Sequence, residues 1–475
     1  MKKNFFRKVG FGIGTDEIVP VNPVSWAQNQ VDKVPPLIWD AHIHSGEEML
    51  NYYAEWVYTD REILRKKHKE NRQAYREAKN KLRYKVGEKY FENLEICIRQ
   101  NTAIKSESPV FERLWFFWCN HFAIIDKDAM PQFTTGPYHR ETIRTNMCGS
   151  FETLLKEATL GWSMIHNLDN SESIGPHSKW GKNRRKRGKL ATVNENHARE
   201  LLELHTVSPA AGYSQEDIVQ LSYIMAGWEH EHTKKRKECN PVRFNYRKHE
   251  PGNHKVLGKT YKQRGLSPKN KLLDVLKDLS VHPETKRFIA HKLCRHFITD
   301  NPTVYMTAPI IAAWEESNGD LPTIHKALLS VIYDHADKEK KFQNPEIWML
   351  QMVNMVGGSW PLQADEMKYN FKIKPNNHQR RPSFFMKEIG YEPYRPIQPN
   401  GYSDMESDWI SPELLIRRFS APKEIAQRSI ALKNFEVMIE KNFDDPEEIK
   451  ALINGVKSPS TKMQLIFPSY RMLKT

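Results

Sequence analysis

Glu112-Arg-Leu-Trp-Phe-Phe-Trp-Cys-Asn-His-Phe122 is the stretch on which the fold turns. Leu114, Phe117, Trp118 and His121 fall at i, i+3, i+4 and i+7, so they share one face of a helix. The apolar run Leu114 to Cys119 is far too short to span a bilayer, so the reading is a helix buried in a protein core. The same period recurs outward from it. Tyr75, Ala78 and Leu82, then Leu94, Cys97 and Ile98, predict amphipathic helices with solvated outer faces across the Lys-, Arg- and Glu-rich region 53–100. Two short helices are expected in 151–168, and further helices at 271–279, 284–299, 307–317, 321–333 and from Ser411 to the C-terminus.

Start and stop signals sharpen the middle of the chain. Thr192 with Glu195 fits a capping box and predicts a helix to about Thr206. Ser214 with Asp217 is a second such box, opening a helix that Gly227 stops. Residues 171–191, with Gly175-Pro176 and the basic run 182–187, read as a loop. Between 242 and 261 the period drops to two, and Glu250-Pro-Gly-Asn253 has the chemistry of a type II turn, so one small β-hairpin is expected there. The fold class is therefore all-α: one large multi-helix domain over 1–475. Residues 1–46 form an N-terminal extension with a first helix, 375–400 a Pro-rich linker or lid, and 401–475 helices packing on the same domain.

Composition bounds the function. The chain has 12 Trp and 21 Phe, the aromatic anchors that disordered chains lack. Its net charge of +14 favours an acidic partner, small or polymeric; nucleic acid remains open although no nucleic-acid motif is present. Cys97, Cys119, Cys148, Cys239 and Cys294 are odd in number and widely spaced, which argues against a disulfide framework. Arg7 and Lys8 interrupt the apolar start before it reaches the length of an export signal, giving a cytoplasmic expectation without membrane insertion. No Walker loop, dinucleotide fingerprint, nucleophile elbow or HExxH motif occurs.

The residues with most chemistry lie in Asn194-Glu-Asn-His-Ala-Arg-Glu-Leu-Leu-Glu-Leu-His205. At 100° per residue Glu195, Asn196, Arg199, Glu203 and Thr206 share one side, with Glu200 at its edge. Such a face suits acid–base work or substrate binding; the plainer reading is a solvated ion-pair face in which Arg199 pairs with Glu203 and Glu195 caps. His205, His121 and His296 project from apolar faces, where burial keeps an imidazole neutral, as a general base or metal ligand requires. Cys119, His121, Cys294 and His296 could hold zinc, although Cys-x-His is not zinc-knuckle spacing. No cofactor is evident beyond that metal option. Arg184, Arg185 and Arg187 of the basic run precede a helix N-terminus and could clamp an anion.

Taken together, these segments resemble the bacterial family catalogued as domain of unknown function 1800. The likeness runs through ordered blocks over most of the chain: Phe6-Arg-Lys-Val-Gly-Phe-Gly12, Phe117-Trp-Cys-Asn-His-Phe122, Leu168-Asp-Asn170, Asn194 to Thr206, Ala226-Gly-Trp228, His249-Glu-Pro-Gly252 and Lys292-Leu293. The resemblance implies a single, mainly helical domain and a shared site for His121, His249 and the 194–205 face, but no reaction. Family members commonly carry His at position 119 and Tyr at 197, which tells against a thiolate zinc site here, and many carry export signals. Two readings follow. In the first, the protein is a hydrolase or transferase for an anionic substrate, small or polymeric. His121, His205, Glu195, Glu200 and Glu203 do the chemistry, and Arg199, Asn196, Asn120, Asp169, Asn170, Arg184, Arg185, Arg187, Trp228 and His249 bind. In the second it is a non-catalytic binding or assembly protein whose polar cluster is a structural network.

Overall fold

The helix Pro109–His121 is buried almost all round: eleven of its 13 residues are inaccessible. Proline at its first position removes a backbone N–H that would otherwise lack a partner. Aromatic residues are only moderate helix formers, so packing rather than intrinsic propensity holds this segment helical. Its polar groups are met by partners distant in sequence. Arg144 makes two hydrogen bonds to the Glu112 carboxylate, at 2.5 and 2.8 Å. The Trp115 indole N–H donates to the His139 carbonyl at 2.8 Å, and that of Trp118 to His325 Nε2 at 3.0 Å. One helix thereby fixes where several others must lie.

The computed structural model describes residues 2–230, 242–263, 268–358, 382–428 and 434–475. Helices dominate, with two small antiparallel ribbons, so the fold is mainly α. A single hydrophobic cluster surrounds the central helix and takes in Phe5 and Phe6 near one end of the chain and Phe467 and Met472 near the other. The two ends are tied directly to a middle segment. The Gln351 side chain donates to the Arg7 carbonyl at 2.7 Å, and Lys341 and Thr475 exchange backbone hydrogen bonds. A second cluster, centred on Trp56, Phe91 and Phe133, joins the helices Gly46–Glu55, Glu88–Lys105 and Pro131–Pro137.

Several local expectations change. Helix Arg72–Leu82 buries no residue, as a solvated helix should, but Glu88–Lys105 buries most of its length. Its charges are paired inside: Arg140 makes two 2.9 Å bonds to Glu95, and Arg99 reaches Glu346 at 3.2 Å. The basic stretch read as a loop contains the helix Lys179–Lys186, started by Ser178, whose hydroxyl accepts from Gly181 N at 3.0 Å. The helix predicted from Thr192 begins at Asn196 instead; Asn194 Oδ1 accepts the Asn196 N–H, and residues 201–205 continue as a π-turn. The Ser214–Asp217 capping box is present with both of its hydrogen bonds.

The single hairpin becomes two ribbons. Strand β1 (Trp228–His230) pairs with β2 (Val242–Phe244), and β3 (His254–Val256) with β4 (Lys259–Tyr261). The alternation around Phe244 is real, but its partner strand lies upstream, and Leu257-Gly258 with positive φ makes the tight turn of the second ribbon. Of the 375–400 stretch, residues 375–381 lie outside the described residues, as does Cys239. Residues 382–388 form a helix that buries Phe385 and Met386, and Tyr391 and Tyr394 are buried beyond it. Among the described residues no helix is long and apolar enough to cross a membrane.

Candidate functional site

The central helix delivers His121 to a buried position beside His205, with ring centroids 6.0 Å apart. His121 Nε2 lies 3.2 Å from the His205 carbonyl, which can only accept, so the proton sits on Nε2. Nδ1 then accepts from Lys292 Nζ at 3.1 Å. Burial, reinforced by the Lys292 charge, holds the His121 pKa well below the ordinary range. Burial likewise lowers Lys292 to about 8. His205 has both ring nitrogens sealed from solvent without a hydrogen-bond partner, and burial takes it to about 3. His197, eight residues upstream, is in the same condition, also near 3. Four residues after Lys292, His296 Nδ1 donates to Asp404 at 2.7 Å. Burial would raise Asp404, but His296, Lys341 and Lys292 outweigh it and hold the carboxylate below its usual range. The result is an interior of neutral imidazoles with Lys292, Lys341 and Asp404 set among them.

The acids and Arg199 of the same helix lie apart from this interior. Glu195 accepts from Arg199 at 3.1 Å and from the Gln215 amide at 2.6 Å, and Arg199 also donates to Gln215 Oε1 at 3.0 Å. Arg199 therefore pairs with Glu195 four residues back, whereas the ion-pair alternative expected Glu203. Glu203 instead lies near Tyr213, whose hydroxyl pKa is raised by burial and then by the Glu203 charge, and burial followed by the Glu203 charge raises Glu200. Asn196 is engaged through its backbone with Asn194.

A third group pins loops. The Asn170 side chain donates to the carbonyls of Met225 and Trp228, at 3.2 and 2.7 Å. His249 Nδ1 donates to the Ala226 carbonyl at 2.9 Å, and its ring meets Phe244, which also packs on Trp228. Burial and then Lys271 lower His249 to about 4. Asp169, with φ of 56°, turns outward to Lys127. Asn120 exchanges hydrogen bonds with the Tyr402 backbone at 2.9 and 2.8 Å.

On the basic helix, Arg184 donates to the Leu190 carbonyl and Arg185 to that of Pro176, while Arg187 is the C-terminal cap residue. Lys179, Lys182, Asn183, Arg185 and Lys186 line an open groove of about 450 Å³.

The proposed residues thus fall into a buried histidine interior, a surface ion-pair face, a loop-pinning knot and a basic helix. Lys292 and Asp404 were not singled out from sequence. The block Lys292-Leu293 was the one available signal for Lys292, whereas nothing local marks Asp404. Cys119 and Cys294 are buried thiols, each pushed up by burial to about 12, and Cys294 donates to the Met306 carbonyl. Neither joins His121 and His296 in a group with metal-ligand spacing; among the described residues only His42, His44 and Glu48 do so.

A mainly helical fold organised around a buried aromatic helix, with a histidine interior beside it, defines the class. The model of the family described as "Protein of unknown function (DUF1800)" matches residues 4–466, and the chain belongs to that family. No curated protein and no solved structure matches it.

Proposed function

We propose that this protein binds an acidic polymer through the helix Lys179–Lys186 and the residues following it, and that the buried histidines are part of the scaffold. One observation carries the reading. From Lys179 to Lys189 there are seven Lys and Arg and no Asp or Glu, and every residue but Gly181 is exposed. Like charges this dense repel one another, and an anionic chain laid along them relieves that repulsion while releasing its own counterions. Trp180 lies half-exposed within the patch, with Lys248 Nζ 5.5 Å from its ring centroid. The test is binding of the full chain to heparin, polyphosphate and single-stranded DNA across a salt series. Affinity should fall steeply with salt, and K182E/R185E/K186E should lower it at least roughly tenfold and flatten the salt slope. Binding that ignores salt, or that the triple variant leaves unchanged, would refute this role.

The reading of the chain as a hydrolase or transferase for an anionic substrate is supported by a different observation. His121 is a neutral imidazole held by a lysine of lowered pKa, and His205 beside it has two unused ring nitrogens. A substrate admitted to that interior would find a base at His121 or His205 and a cation at Lys292. Glu195, Glu200, Glu203 and Arg199 would then act from the neighbouring face. Turnover that survives His121→Ala, His205→Ala and Glu203→Ala, each made singly, would exclude this role.

A further inference from the structure

Outside the regions assigned above, His42, His44 and Glu48 bring one ligand atom each within 4.8 Å of one another. The local chain explains the convergence. Ile43 packs on the second hydrophobic cluster, and the histidines flank it two residues apart. Ser45 caps the helix Gly46–Glu55 in a capping box: its hydroxyl accepts from Glu48 N at 3.2 Å, and Glu48 Oε2 accepts from Ser45 N at 2.7 Å. The cap fixes the Glu48 rotamer and presents its carboxylate to both rings. His42 Nε2 lies 3.0 Å from each Glu48 oxygen, and His44 Nδ1 lies 3.9 Å from Oε1. The His44 ring is held edge-on by Tyr52 and Phe91, and Arg140 donates to the His44 carbonyl at 2.7 Å.

An ordinary His–Glu hydrogen bond accounts for His42 but not for His44. His44 Nδ1 is sealed from solvent, has no hydrogen-bond partner and points at a carboxylate too far away to accept from it. A buried ring nitrogen left in that position is costly unless something else engages it. We propose that His42 Nε2, His44 Nδ1 and a Glu48 oxygen form a binding site for a divalent transition-metal ion, Zn²⁺ first, with water completing the shell. Zinc sits about 2.0–2.2 Å from such nitrogens and oxygens, which in a tetrahedron spaces the ligand atoms by about 3.4 Å. The separations to Glu48, 3.0 and 3.9 Å, bracket that value, and the three ligand atoms, all within 4.8 Å of one another, draw together by side-chain rotation when the ion binds. Two imidazoles and one carboxylate suit a borderline ion; calcium and magnesium favour all-oxygen shells, and copper(I) favours thiolates and thioethers. Three protein ligands leave the fourth position open to water or a ligand.

The experiment uses the untagged full chain, stripped with chelator and then titrated with Zn²⁺ by calorimetry and with Co²⁺ by visible absorption. One tight equivalent and a tetrahedral Co²⁺ spectrum are expected. His42→Ala and Glu48→Gln should each weaken binding roughly tenfold or more. Neither should unfold the protein, because His42 is exposed and Gln also serves in a capping box. Zn²⁺ should raise the melting temperature of the native chain and not that of His42→Ala. His177→Ala removes the histidine of a His–Glu pair that belongs to no group with metal-ligand spacing among the described residues and should leave binding intact. A native chain that takes up no Zn²⁺, or a His42→Ala/His44→Ala variant that binds it as tightly, would overturn the site.

Discussion

Lys292 determines the state of His121, because an ammonium donor at Nδ1 and a carbonyl acceptor at Nε2 admit only the neutral ring. The apolar setting of His121 and His205 could be read from the spacing of Leu114, Phe117 and Trp118 and of Leu201 and Leu202. Their partners could not, since Lys292 is 171 residues away and periodicity carries no long-range information. The buried imidazoles make stability depend on pH. His205 and His197 titrate near 3 in the folded chain against an ordinary 6.5. As pH falls, the unfolded chain therefore takes up protons first. Their stabilising effect is complete above about pH 6.5 and is lost progressively as pH drops toward 3, at about 1.4 kcal/mol per pH unit for each ring. His205→Phe removes one such ring. It should reduce the loss of unfolding free energy between pH 7 and pH 5 by about 2 kcal/mol in urea melts. An unchanged loss would mean that His205 is not held neutral by the fold.

Elements were legible where a helix start has both halves of its signal and unreliable where only letters match. Ser214 and Asp217 form a reciprocal box, whereas Thr192 and Glu195 have the same spacing without capping anything. Ser214→Ala should therefore cost about 1 kcal/mol and Thr192→Ala close to nothing, measured by chemical denaturation. Equal costs would place the helix start at Thr192 after all. The basic helix was hidden because Gly175-Pro176 and the dense positive run 182–187 read as a loop, and a glycine at 181 is a poor helix former. Gly181 instead permits close approach: a Cβ there would lie 2.2 Å from the Gly175 carbonyl oxygen. Backbone cannot yield as a flexible side chain can, so Gly181→Ala should destabilise by about 1–3 kcal/mol although alanine is the better helix former. A neutral or stabilising result would show that the helix is free to move off the loop beneath it.

For the molecule as a whole, hydropathy foretold a helical protein with a large core but not how much charge that core contains. Glu95, Glu112, Arg99, Arg140 and Arg144 are all buried, and composition alone cannot tell a solvated ion pair from an enclosed one. The enclosed pairs join distant segments. Arg144 binds Glu112 through two nitrogens and also donates to the Pro35 carbonyl at 3.0 Å, while its guanidinium lies 4.9 Å from the ring centroids of Phe111 and Trp115. Removing the arginine alone leaves a carboxylate among aromatic rings, so Arg144→Met should destabilise by about 3–5 kcal/mol. Replacing both partners with apolar residues removes the stranded charge as well as the bond. Glu112→Leu/Arg144→Met should therefore be clearly more stable than Arg144→Met, short of wild type mainly by the lost bond to Pro35. A double-mutant cycle from urea melts measures the coupling. If Arg144→Met melted within about 1 kcal/mol of wild type, the segments around residues 35, 112 and 144 would have to be held by apolar packing alone, and the charge inside this core would be incidental to its architecture.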